Sequence, residues 1–331
     1  MSKNILVTGG AGFIGSHLSE RLLIEGNRVI IIDNFNNFYD PHIKRKNIEE
    51  IKDTMKKNSI EEGKLILCEG DFRNIEFLDE VFNNNEIDMI VHLAAMAGVR
   101  SSIENPQLYY DVNITGTLNI LEQCRMKNIK KFVFASSSSV YGNSEKVPFA
   151  ETDIVDNPIS PYAATKKSGE LMCHTYHHLY NMSIACLRFF TVYGPRQRPD
   201  LAIHKFTNLI KDNESIPFFG DGSTSRDYTY IEDIIDGIVK SIEWTDDNEN
   251  SFDVFNLGGD KTVSLKEMVE TIETTLSTTA IINKLPMQPG DVNRTCADIS
   301  HSNKTIGYRP RTSFKEGIEK FVKWYLESRA N

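Results

Sequence analysis

Short apolar runs alternate with longer amphipathic stretches along a little more than the first half of the chain. Each apolar run is too short for a helix and is followed by apolar residues at helical spacing, which predicts strands that alternate with helices. This alternation is typical of a parallel sheet with helices on both faces. The predicted strands cover residues 5–7, 29–32, 65–67, 89–93, 132–135 and 184–189, and one predicted helix covers residues 106–125.

The first predicted strand runs directly into a glycine-rich turn from which a helix starts. Glycines at this spacing allow a tight turn, let backbone N–H groups approach a pyrophosphate, and permit close packing of the helix. Alone, such a pattern can be a structural turn, but the strand before it and the helix after it favour dinucleotide binding. The residues assigned to the dinucleotide here are Gly9, Gly12, Phe13, Ile14 and Gly15.

The second predicted strand ends at Asp33, whose carboxylate can accept hydrogen bonds from a ribose diol. The same charge repels a 2′-phosphate, and Asn34 rather than an arginine follows it, so we predict NAD instead of NADP. Ligands of this fold bind beyond the carboxyl ends of the strands. The next two strand ends therefore add Asp71, near the adenine, then Phe72, and the small Ala94 and Ala95 along the dinucleotide backbone.

These patterns predict an α/β fold, a Rossmann-type doubly wound parallel sheet with a smaller C-terminal α/β substrate lobe. After residue 195 the alternation is less regular, with predicted helices over 231–242 and 265–276 and a strand over 254–257. We expect an NAD-binding domain made of residues 1–194 and 225–258, and a smaller lobe made of residues 195–224 and 259–331.

Between the second and third strands the chain is polar from residue 34 to residue 63, with a helical pattern around residues 44–57. We interpret this region as a solvated insertion. Its Lys44-Arg45-Lys46 cluster is interpreted as an exposed face rather than a phosphate site.

Composition and charge narrow the classes of function. The net charge of −9 and the pI near 5.5 argue against a general binder of nucleic acids or membrane surfaces, because such proteins carry basic patches. No apolar run approaches the ~18 residues of a membrane-spanning helix, so we expect no spanning or signal segment. The five cysteines are scattered, as is typical of reduced thiols in the cytoplasm.

Metal and hydrolase chemistry find little support in the sequence. His174, His177 and His178 include an i, i+4 pair, but no third ligand accompanies them, so a surface or interface role and no metal are predicted. The chain has no Gly-x-Ser-x-Gly elbow for a nucleophilic serine.

A tyrosine and a lysine lie four residues apart at a predicted helix start, in the run Ser160 to Lys166. On a helix, Tyr162 and Lys166 share a face. A tyrosine normally loses its proton near pH ~10, and a nearby lysine cation lowers that pKa, which would make Tyr162 a general base. An amphipathic helix whose Tyr and Lys flank the core is the simpler alternative. The glycine turn and an upstream serine run, Ser136 to Ser139, favour the catalytic interpretation.

Together these motifs resemble the extended short-chain dehydrogenase/reductase family over nearly the whole chain. Within that family the chain is most similar to UDP-glucuronate 4-epimerases. The runs that carry the closer similarity are Ala95-Met96-Ala97-Gly98-Val99-Arg100, Ser160 to Lys166, Arg188 to Pro195, and Gln288-Pro289-Gly290-Asp291-Val292.

The serine run separates an epimerase from its relatives. Similar nucleotide-sugar 4,6-dehydratases carry Asp-Glu in place of Ser138 and Ser139, and similar UDP-glucuronate decarboxylases carry Glu in place of Ser139. Neither carboxylate is present here, so the resemblance implies an isomerase that interconverts UDP-glucuronate and UDP-galacturonate through a 4-keto intermediate. In this mechanism Tyr162 is the base, Lys166 lowers its pKa and bonds the nicotinamide ribose, and Ser137 orients the C4 hydroxyl.

The resemblance also implies contacts to the nucleotide from the smaller lobe. Arg226 and Gln288 are expected near the diphosphate, Asp291 on the uridine ribose and Phe219 near the uracil. This chain departs from similar UDP-galactose 4-epimerases, which have arginine in place of Gln288.

The remaining expected substrate contacts concern phosphate and sugar. Arg100 and Arg198 are either phosphate contacts or members of surface ion pairs. The hydroxyls of Thr191, Ser138 and Ser139 are expected to hold the sugar carboxylate without supplying an acid, or, for Thr191, simply to cap a strand end.

Two other functions stay open. A 4-epimerase of neutral UDP-hexoses or UDP-N-acetylhexosamines would use the same catalytic residues. A non-catalytic NAD-dependent sensor or scaffold is more remote, since both Tyr162 and Lys166 are intact.

The resemblance further implies a homodimer in which two helices of each copy form a four-helix bundle. These helices lie near residues 106–125 and 161–180. Leu171, Tyr176 and Leu179 place apolar groups on more than one face of the second helix, which an interface would cover.

Overall fold

The computed structural model describes residues 2–259, 261–286 and 294–330. Its strands are β1 (Asn4–Thr8), β2 (Arg28–Asp33), β3 (Leu65–Glu69), β4 (Met89–His92), β5 (Lys131–Ser137), β6 (Ser183–Phe189), β7 (Thr191–Tyr193), β8 (Ser215–Phe219), β9 (Ser225–Tyr230), β10 (Phe252–Leu257), β11 (Thr262–Ser264) and β12 (Ile281–Leu285). Its helices are α1 (Phe13–Ile24), α2 (Pro41–Lys57), α3 (Ile75–Asn84), α4 (Val99–Glu104), α5 (Pro106–Tyr110), α6 (Gly116–Met126), α7 (Pro161–Tyr180), α8 (Ala202–Lys211), α9 (Ile231–Asp247), α10 (Leu265–Leu276), α11 (Ser300–Ile306) and α12 (Phe314–Ala330). Among the described residues, no helix combines the length and the apolar character that crossing a membrane requires.

Seven strands form the main sheet, in the order β10-β6-β5-β4-β1-β2-β3. β1 pairs in parallel with both β2 and β4, and the pairs β2–β3 and β4–β5 are also parallel. The predicted doubly wound α/β fold is therefore confirmed. The chain reverses its direction of winding between β1 and β4, and ligands of such sheets bind in the crevice at this point.

The chain divides into two compact units. The first contains the residues up to Gly142 together with Ile154–Arg188 and Ile235–Phe255. The second contains Asn143–Asp153, Phe189–Ile234 and the residues from Asn256 onward.

These boundaries differ from the predicted ones at residues 143–153, 189–194, 225–234 and 256–258, which pack with the second unit. For residues 189–194 and 225–234 the physical reason is strand pairing, because β7 pairs with β9, and β9 pairs with β11. Residues 143–153 join the second unit through Phe149, whose N–H donates to the carbonyl oxygen of Cys296 at 2.8 Å. Periodicity along the chain shows each strand but does not show its partner.

The polar segment between β2 and β3 is not the predicted solvated insertion. It contains α2, whose apolar face packs against α1 and buries Ile48, Ile51 and Met55. Asn47 on the same helix donates a hydrogen bond to the carbonyl oxygen of Ala11, at 2.9 Å. α2 thus braces the glycine turn from outside the sheet.

The predicted helix over residues 106–125 is three consecutive helical segments. A five-residue π-helical turn, Asp111–Thr115, separates α5 from α6. Within this wide turn Asn113 is buried, and its side chain bonds both the N–H and the carbonyl of Met96, at 2.8 and 2.9 Å. Its Nδ2 also donates to Thr165 Oγ1 in α7, at 3.0 Å. The turn therefore ties the segment after β4 to α7.

The second unit contains two small sheets. One has the order β11-β9-β7, and the other pairs β12 with β8 in parallel. The buried Asp233 at the start of α9 accepts backbone N–H groups of Arg311 and Thr312, at 2.9 and 3.0 Å, which fixes the segment that leads into α12.

Candidate active site

The glycine turn joins β1 to the N-terminus of α1. Gly9 has a φ of 71°, a left-handed conformation that favours glycine. A Cβ on Gly15 would lie 2.1 Å from the carbonyl oxygen of Gly9, so this position also requires glycine. Gly12 precedes the helix and has no side chain to cap it. The N–H groups of Phe13 and Ile14 begin the helix, where unpaired donors and the helix dipole favour a phosphate.

Asp33 ends β2 beside the glycine turn. Its carboxylate accepts the N–H of Ala11 at 3.2 Å and the N–H of Phe35 at 2.9 Å. The Lys44 ammonium lies 3.7 Å from its Oδ1. Two backbone donors and one cation thus hold the carboxylate at the strand end where a ribose diol is expected.

The interpretation of Lys44 as part of an exposed face is wrong, because its side chain is buried. Its Nζ contacts the carbonyl oxygen and the Oδ1 of Asn36, at 3.4 and 3.3 Å, and a buried ammonium needs such partners together with the Asp33 carboxylate. Arg45 and Lys46 are exposed as expected. The sequence held a signal for Lys44, since it continues the apolar stripe of α2 at helical spacing.

Asp71 follows β3 and is held by two neighbours. Arg73 donates to it from Nε at 3.0 Å and from Nη2 at 2.7 Å, and Asn34 donates from Nδ2 at 3.0 Å. The hydrogen bonds from Arg73 are the main cause that lowers the pKa of Asp71 to about 2. The predicted adenine contact is thus an ionised acceptor. Phe72 turns into the core, with its ring 5.5 Å from the ring of His92.

Ala94 and Ala95 follow β4, at the crevice of the sheet. A Cβ on Gly9 would lie 3.0 Å from the Ala94 Cα, so the backbones of the two turns are in close contact. The Ala94 N–H donates to Thr8 Oγ1 at 3.1 Å. Small residues at both turns leave the strand ends accessible to a ligand backbone.

His92 is a buried residue that the sequence analysis did not consider. Its Nδ1 lies 2.7 Å from Thr8 Oγ1 and its Nε2 lies 3.0 Å from Thr117 Oγ1, which connects the glycine turn to α6. Burial, and secondarily the charge of Lys166, lowers the pKa of His92 to about 3. The imidazole is therefore neutral at physiological pH and serves as a hydrogen-bonded brace.

Tyr162 and Lys166 lie in the first turns of α7, as predicted. The Ser160 side chain caps this helix by accepting the N–H of Ala163 at 3.1 Å. The Lys166 ammonium donates to the carbonyl oxygen of Ala135 at 2.6 Å and lies 5.9 Å from the centre of the Tyr162 ring. Burial lowers the pKa of Lys166 to about 8. The site thus keeps a cation beside a phenol at the carboxyl end of β5.

Gly169 allows α7 to approach β5 closely. A Cβ at this position would lie 2.2 Å from the Phe134 ring, so any side chain here would force the helix or the ring to move. The Lys166 ammonium lies 5.2 Å from the centre of the same ring. The depth at which Lys166 is buried therefore depends on this glycine.

The serine run continues β5 into a short 3₁₀ turn, Ser138–Tyr141, against which α7 packs. Ser137 Oγ accepts the N–H of Ser139 at 3.2 Å and lies 2.7 Å from Ser139 Oγ. Ser137 is buried, whereas Ser138 and Ser139 are half-buried. Ser137 on β5, Tyr162 and Lys166 on α7, and the glycine turn between β1 and α1 thus all belong to one unit.

The other predicted substrate residues occupy different elements. Arg100 is exposed on α4, and Thr191 begins β7 opposite Tyr228 of β9. Arg198 forms a two-pronged ion pair with Asp200, at 3.0 and 2.8 Å. Arg198 thus forms the ion pair of one alternative, and its contact to a phosphate stays a prediction.

Phe219 ends β8 and is half-buried, and Arg226 lies in β9. The next residue, Asp227, is fully buried and accepts the N–H groups of Gly259 at 2.6 Å and of Ala297 at 3.0 Å. Three chain segments thus meet at Asp227, the residue that follows Arg226. The sequence analysis did not predict this buried carboxylate.

Gln288 and Asp291 lie outside the described residues. Among the described residues, no group of three or more His, Cys, Asp or Glu side chains could hold a metal ion. The ring of His174 packs edge-on against Phe252 at 5.0 Å, and His177 Nδ1 lies 2.8 Å from the carbonyl oxygen of Met182.

Comparison with known proteins shows matches over nearly the full length. The chain matches the family described as GDP-mannose 4,6 dehydratase over residues 6–321. It is 42% identical over 324 residues to the UDP-glucuronate 4-epimerase of Thermodesulfobacterium geofontis. The alignment covers 98% of this chain and 96% of that protein.

Solved structures show the same architecture. The UDP-glucuronic acid 4-epimerase of Bacillus cereus, in complex with UDP-glucuronic acid and NAD, matches with a TM-score of 0.88 at 36% identity. The superposition covers 98% of this chain and 99% of the Bacillus cereus chain. The UDP-glucose 4-epimerase of Thermotoga maritima, with UDP-glucose, has a TM-score of 0.86 at 30% identity with the same coverage.

Proposed function

The chain belongs to the GDP-mannose 4,6 dehydratase family and, within it, to the UDP-glucuronate 4-epimerases, and from this membership we propose that it interconverts UDP-glucuronate and UDP-galacturonate with NAD as cofactor. One observation carries the proposal. The buried Lys166 lies beside Tyr162, next to a serine run that holds no carboxylate. This arrangement suits the removal and return of one proton without further acid–base chemistry.

The residues of the glycine turn and of the β2 end fit NAD. The glycine backbone leaves room for a pyrophosphate at the start of α1, and the fixed Asp33 carboxylate suits a ribose diol and opposes a 2′-phosphate. When bound, NAD accepts a hydride from C4 of the sugar and returns it, so that the cofactor is regenerated in every turnover.

In the proposed mechanism Tyr162 accepts the proton of the C4 hydroxyl. The Lys166 ammonium stabilises the phenolate that makes this possible, and Ser137 orients the hydroxyl. The resulting 4-keto sugar rotates about its link to the diphosphate and presents its other face. Tyr162 then returns the proton, and C4 has the inverted configuration.

The carboxylate of UDP-glucuronate requires special handling, because oxidation at C4 creates a β-keto acid that readily loses CO₂. We propose that the sugar carboxylate is bound by hydroxyls that donate hydrogen bonds to it without protonating it. These are the hydroxyls of Thr191, Ser138 and Ser139. In this proposal the first unit binds NAD, and the second contributes most contacts to the nucleotide sugar. The further residues proposed to bind the substrate are Arg100, Arg198, Phe219, Arg226, Gln288 and Asp291.

A second candidate function is 4-epimerisation of a neutral UDP-hexose. It is favoured by the 30% identity to the UDP-glucose 4-epimerase of Thermotoga maritima. The two candidates share every catalytic residue and differ in whether the site must hold a carboxylate.

The experiment that tests the function is incubation of the purified protein and NAD with UDP-glucuronate, UDP-glucose and UDP-N-acetylglucosamine in parallel, followed by separation of the epimers. We expect UDP-galacturonate from UDP-glucuronate and little turnover of the neutral sugars. The Tyr162→Phe protein is the control for contaminating activity. Turnover confined to neutral sugars would support the second candidate, and no turnover of any sugar would contradict both.

We also propose that the enzyme is a cytoplasmic homodimer. The five cysteines are free thiols, in keeping with a reducing compartment. Leu118 on α6 is 40% exposed, and Leu171 and Leu179 on α7 are 57% and 58% exposed. Large apolar side chains exposed on two adjacent helices are suited to a bundle with a second copy.

A further inference from the structure

The segment Ser136–Tyr141 contains the serine run, and both of its ends contact one buried ion pair. The pair joins Glu170 on α7 to Arg188 on β6. Arg188 donates from Nε to Glu170 Oε1 at 2.8 Å and from Nη2 to Oε2 at 2.9 Å, so both carboxylate oxygens are bonded. The two side chains are each 3% exposed.

The first end of the segment is bonded to the carboxylate. Ser136 Oγ donates to Glu170 Oε1 at 2.6 Å, and Ser136 is itself buried. Burial alone would raise the pKa of Glu170, but the guanidinium of Arg188 and the hydroxyl of Ser136 together lower it below its ordinary value. The carboxylate is thus a permanent acceptor for this serine.

The other end of the segment is bonded to the guanidinium. Arg188 Nη1 donates to the Tyr141 hydroxyl at 3.0 Å, and the guanidinium carbon lies 4.9 Å from the centre of the Tyr141 ring. Directly after Tyr141 the chain turns at Gly142, whose φ is 59°. A Cβ on Gly142 would lie 2.7 Å from the carbonyl oxygen of Asn157, so the exit of the segment is also fixed.

The residues between the two anchors are Ser137, Ser138, Ser139 and the buried Val140, and the three serines are the residues proposed to contact the sugar. The ion pair also lies near the proposed catalytic residues of α7. Glu170 follows Lys166 by one helical turn and therefore lies on the same face of this helix. One ion pair thus connects the serine run at both ends with the helix that carries the proposed base.

We propose that Glu170 and Arg188 form a positioning pair, which fixes the serine run relative to Tyr162 and Lys166 by holding Ser136 and Tyr141. This inference rests on the proposed epimerase function and adds two residues to it that need not touch the substrate. A buried ion pair suits this task, because its directional hydrogen bonds fix geometry even where its net contribution to stability is small.

The test removes each anchor without touching the ion pair, with Ser136→Ala and Tyr141→Phe. We expect kcat with UDP-glucuronate to fall about tenfold in each variant, with KM changed by less than about twofold, because small displacements of reacting groups lower the rate more than binding. Ser136→Thr keeps the hydroxyl and should restore most of the activity. The share of decarboxylated UDP-pentose should rise in Ser136→Ala, because Ser138 and Ser139 hold the carboxylate less firmly.

Ser183→Ala is the matched control. Ser183 is a buried serine of the same unit, at the opposite end of β6 from Arg188, and its Oγ donates one hydrogen bond to the carbonyl oxygen of Asn248 at 2.8 Å. Its loss should leave kcat and the product ratio unchanged. An equal loss of kcat in Ser183→Ala would assign the effect to general destabilisation and overturn the proposal.

Unchanged kcat and product ratio in both anchor variants would also overturn it. If Ser136→Ala does not fold, Tyr141→Phe alone decides between these outcomes. A wild-type enzyme that is inactive on every UDP-sugar would mark the failure of the proposed function instead, which keeps the two failures distinguishable.

Discussion

Lys166 Nζ lies 5.9 Å from the centre of the Tyr162 ring. The helical spacing of four residues places both side chains on one face of α7. The hydrogen bond of Lys166 to the Ala135 carbonyl then fixes the cation at the end of β5.

Tyr162→Phe should abolish epimerisation while the protein stays folded. The ring is half-buried and packs edge-on against Tyr109 with centroids 6.3 Å apart, a contact that phenylalanine keeps. Loss of the proton acceptor should lower kcat by about a hundredfold or more. The measurement is the rate of UDP-galacturonate formation with NAD content and Tm as controls, and Tyr180→Phe near the end of α7 should keep full activity. Near-wild-type turnover by Tyr162→Phe would contradict the mechanism.

Lys166→Met should change how stability depends on pH. Burial lowers the pKa of Lys166 to about 8, whereas a lysine in the unfolded chain titrates near ~10.4. Between these two values the unfolded chain binds more protons, so Lys166 makes the free energy of unfolding rise with pH. Relative to Lys166→Met, the NAD-free wild type should gain about 2 kcal/mol between pH ~7.5 and ~9.5 in urea unfolding.

The matched control for this measurement is Lys205→Met. Lys205 is exposed on α8, and its removal should leave the pH dependence of the unfolding free energy as in the wild type. A pH-independent difference between wild type and Lys166→Met would contradict a buried ammonium with a low pKa.

Asp33→Ala combined with Asn34→Arg should admit NADP. The change removes the carboxylate that repels a 2′-phosphate and adds a guanidinium that can bind it, while the Lys44 ammonium loses its carboxylate partner and adds positive charge. A binding titration should show the ratio of Kd values shift from NAD towards NADP. Asp53→Ala removes an exposed carboxylate of α2 and should leave the ratio unchanged. A wild-type protein that already prefers NADP would show that Asp33 was misinterpreted.

Thr191→Val should raise KM for UDP-glucuronate and increase the share of UDP-pentose among the products. Valine keeps the shape of threonine but cannot hold the carboxylate, so decarboxylation of the 4-keto intermediate becomes easier. Thr191→Ser retains a hydroxyl and is the matched control. Unchanged KM and no additional pentose in Thr191→Val would favour the alternative in which Thr191 only caps the strand end.

Leu171→Glu together with Leu179→Glu should convert the proposed dimer to a monomer. A leucine buried in an interface contributes about 1.5–3 kcal/mol, and a charge in its place would be desolvated. Light scattering at micromolar concentration measures the mass. Ile154→Glu is the control, since Ile154 is 83% exposed and lies outside α6 and α7. A monomeric wild type would refute the dimer.

Local chemistry made much of the first unit predictable. The glycine turn, the end of β2 at Asp33 and the start of α7 each depend on residues within a few positions of one another. Ser160, for example, is a favoured N-cap residue, and Pro161 is a favoured first residue of a helix. Such signals do not need knowledge of the rest of the chain.

Contacts between distant segments could not be found in this way. Charge usually indicates exposure, whereas the burial of Lys44 depends on the Asp33 carboxylate and the oxygens of Asn36, which only the fold brings to it. Glu170 and Arg188 lie 18 residues apart on different elements, and no local pattern pairs them. The boundary at Phe189 depends likewise on the pairing of β7 with β9, a tertiary choice.

The fit of Gly169 against Phe134 has a consequence for the energetics of α7. Glycine in a helix interior is less favourable than alanine by about 1 kcal/mol, so an isolated peptide of this segment would become more helical with alanine at position 169. In the folded protein the same methyl group would clash with the Phe134 ring of β5, so the helix or the ring would have to move. Gly169 thus maintains the position of Tyr162, the proposed base, although it weakens α7, the helix that carries Tyr162. Selection for helix stability alone would therefore act against catalysis.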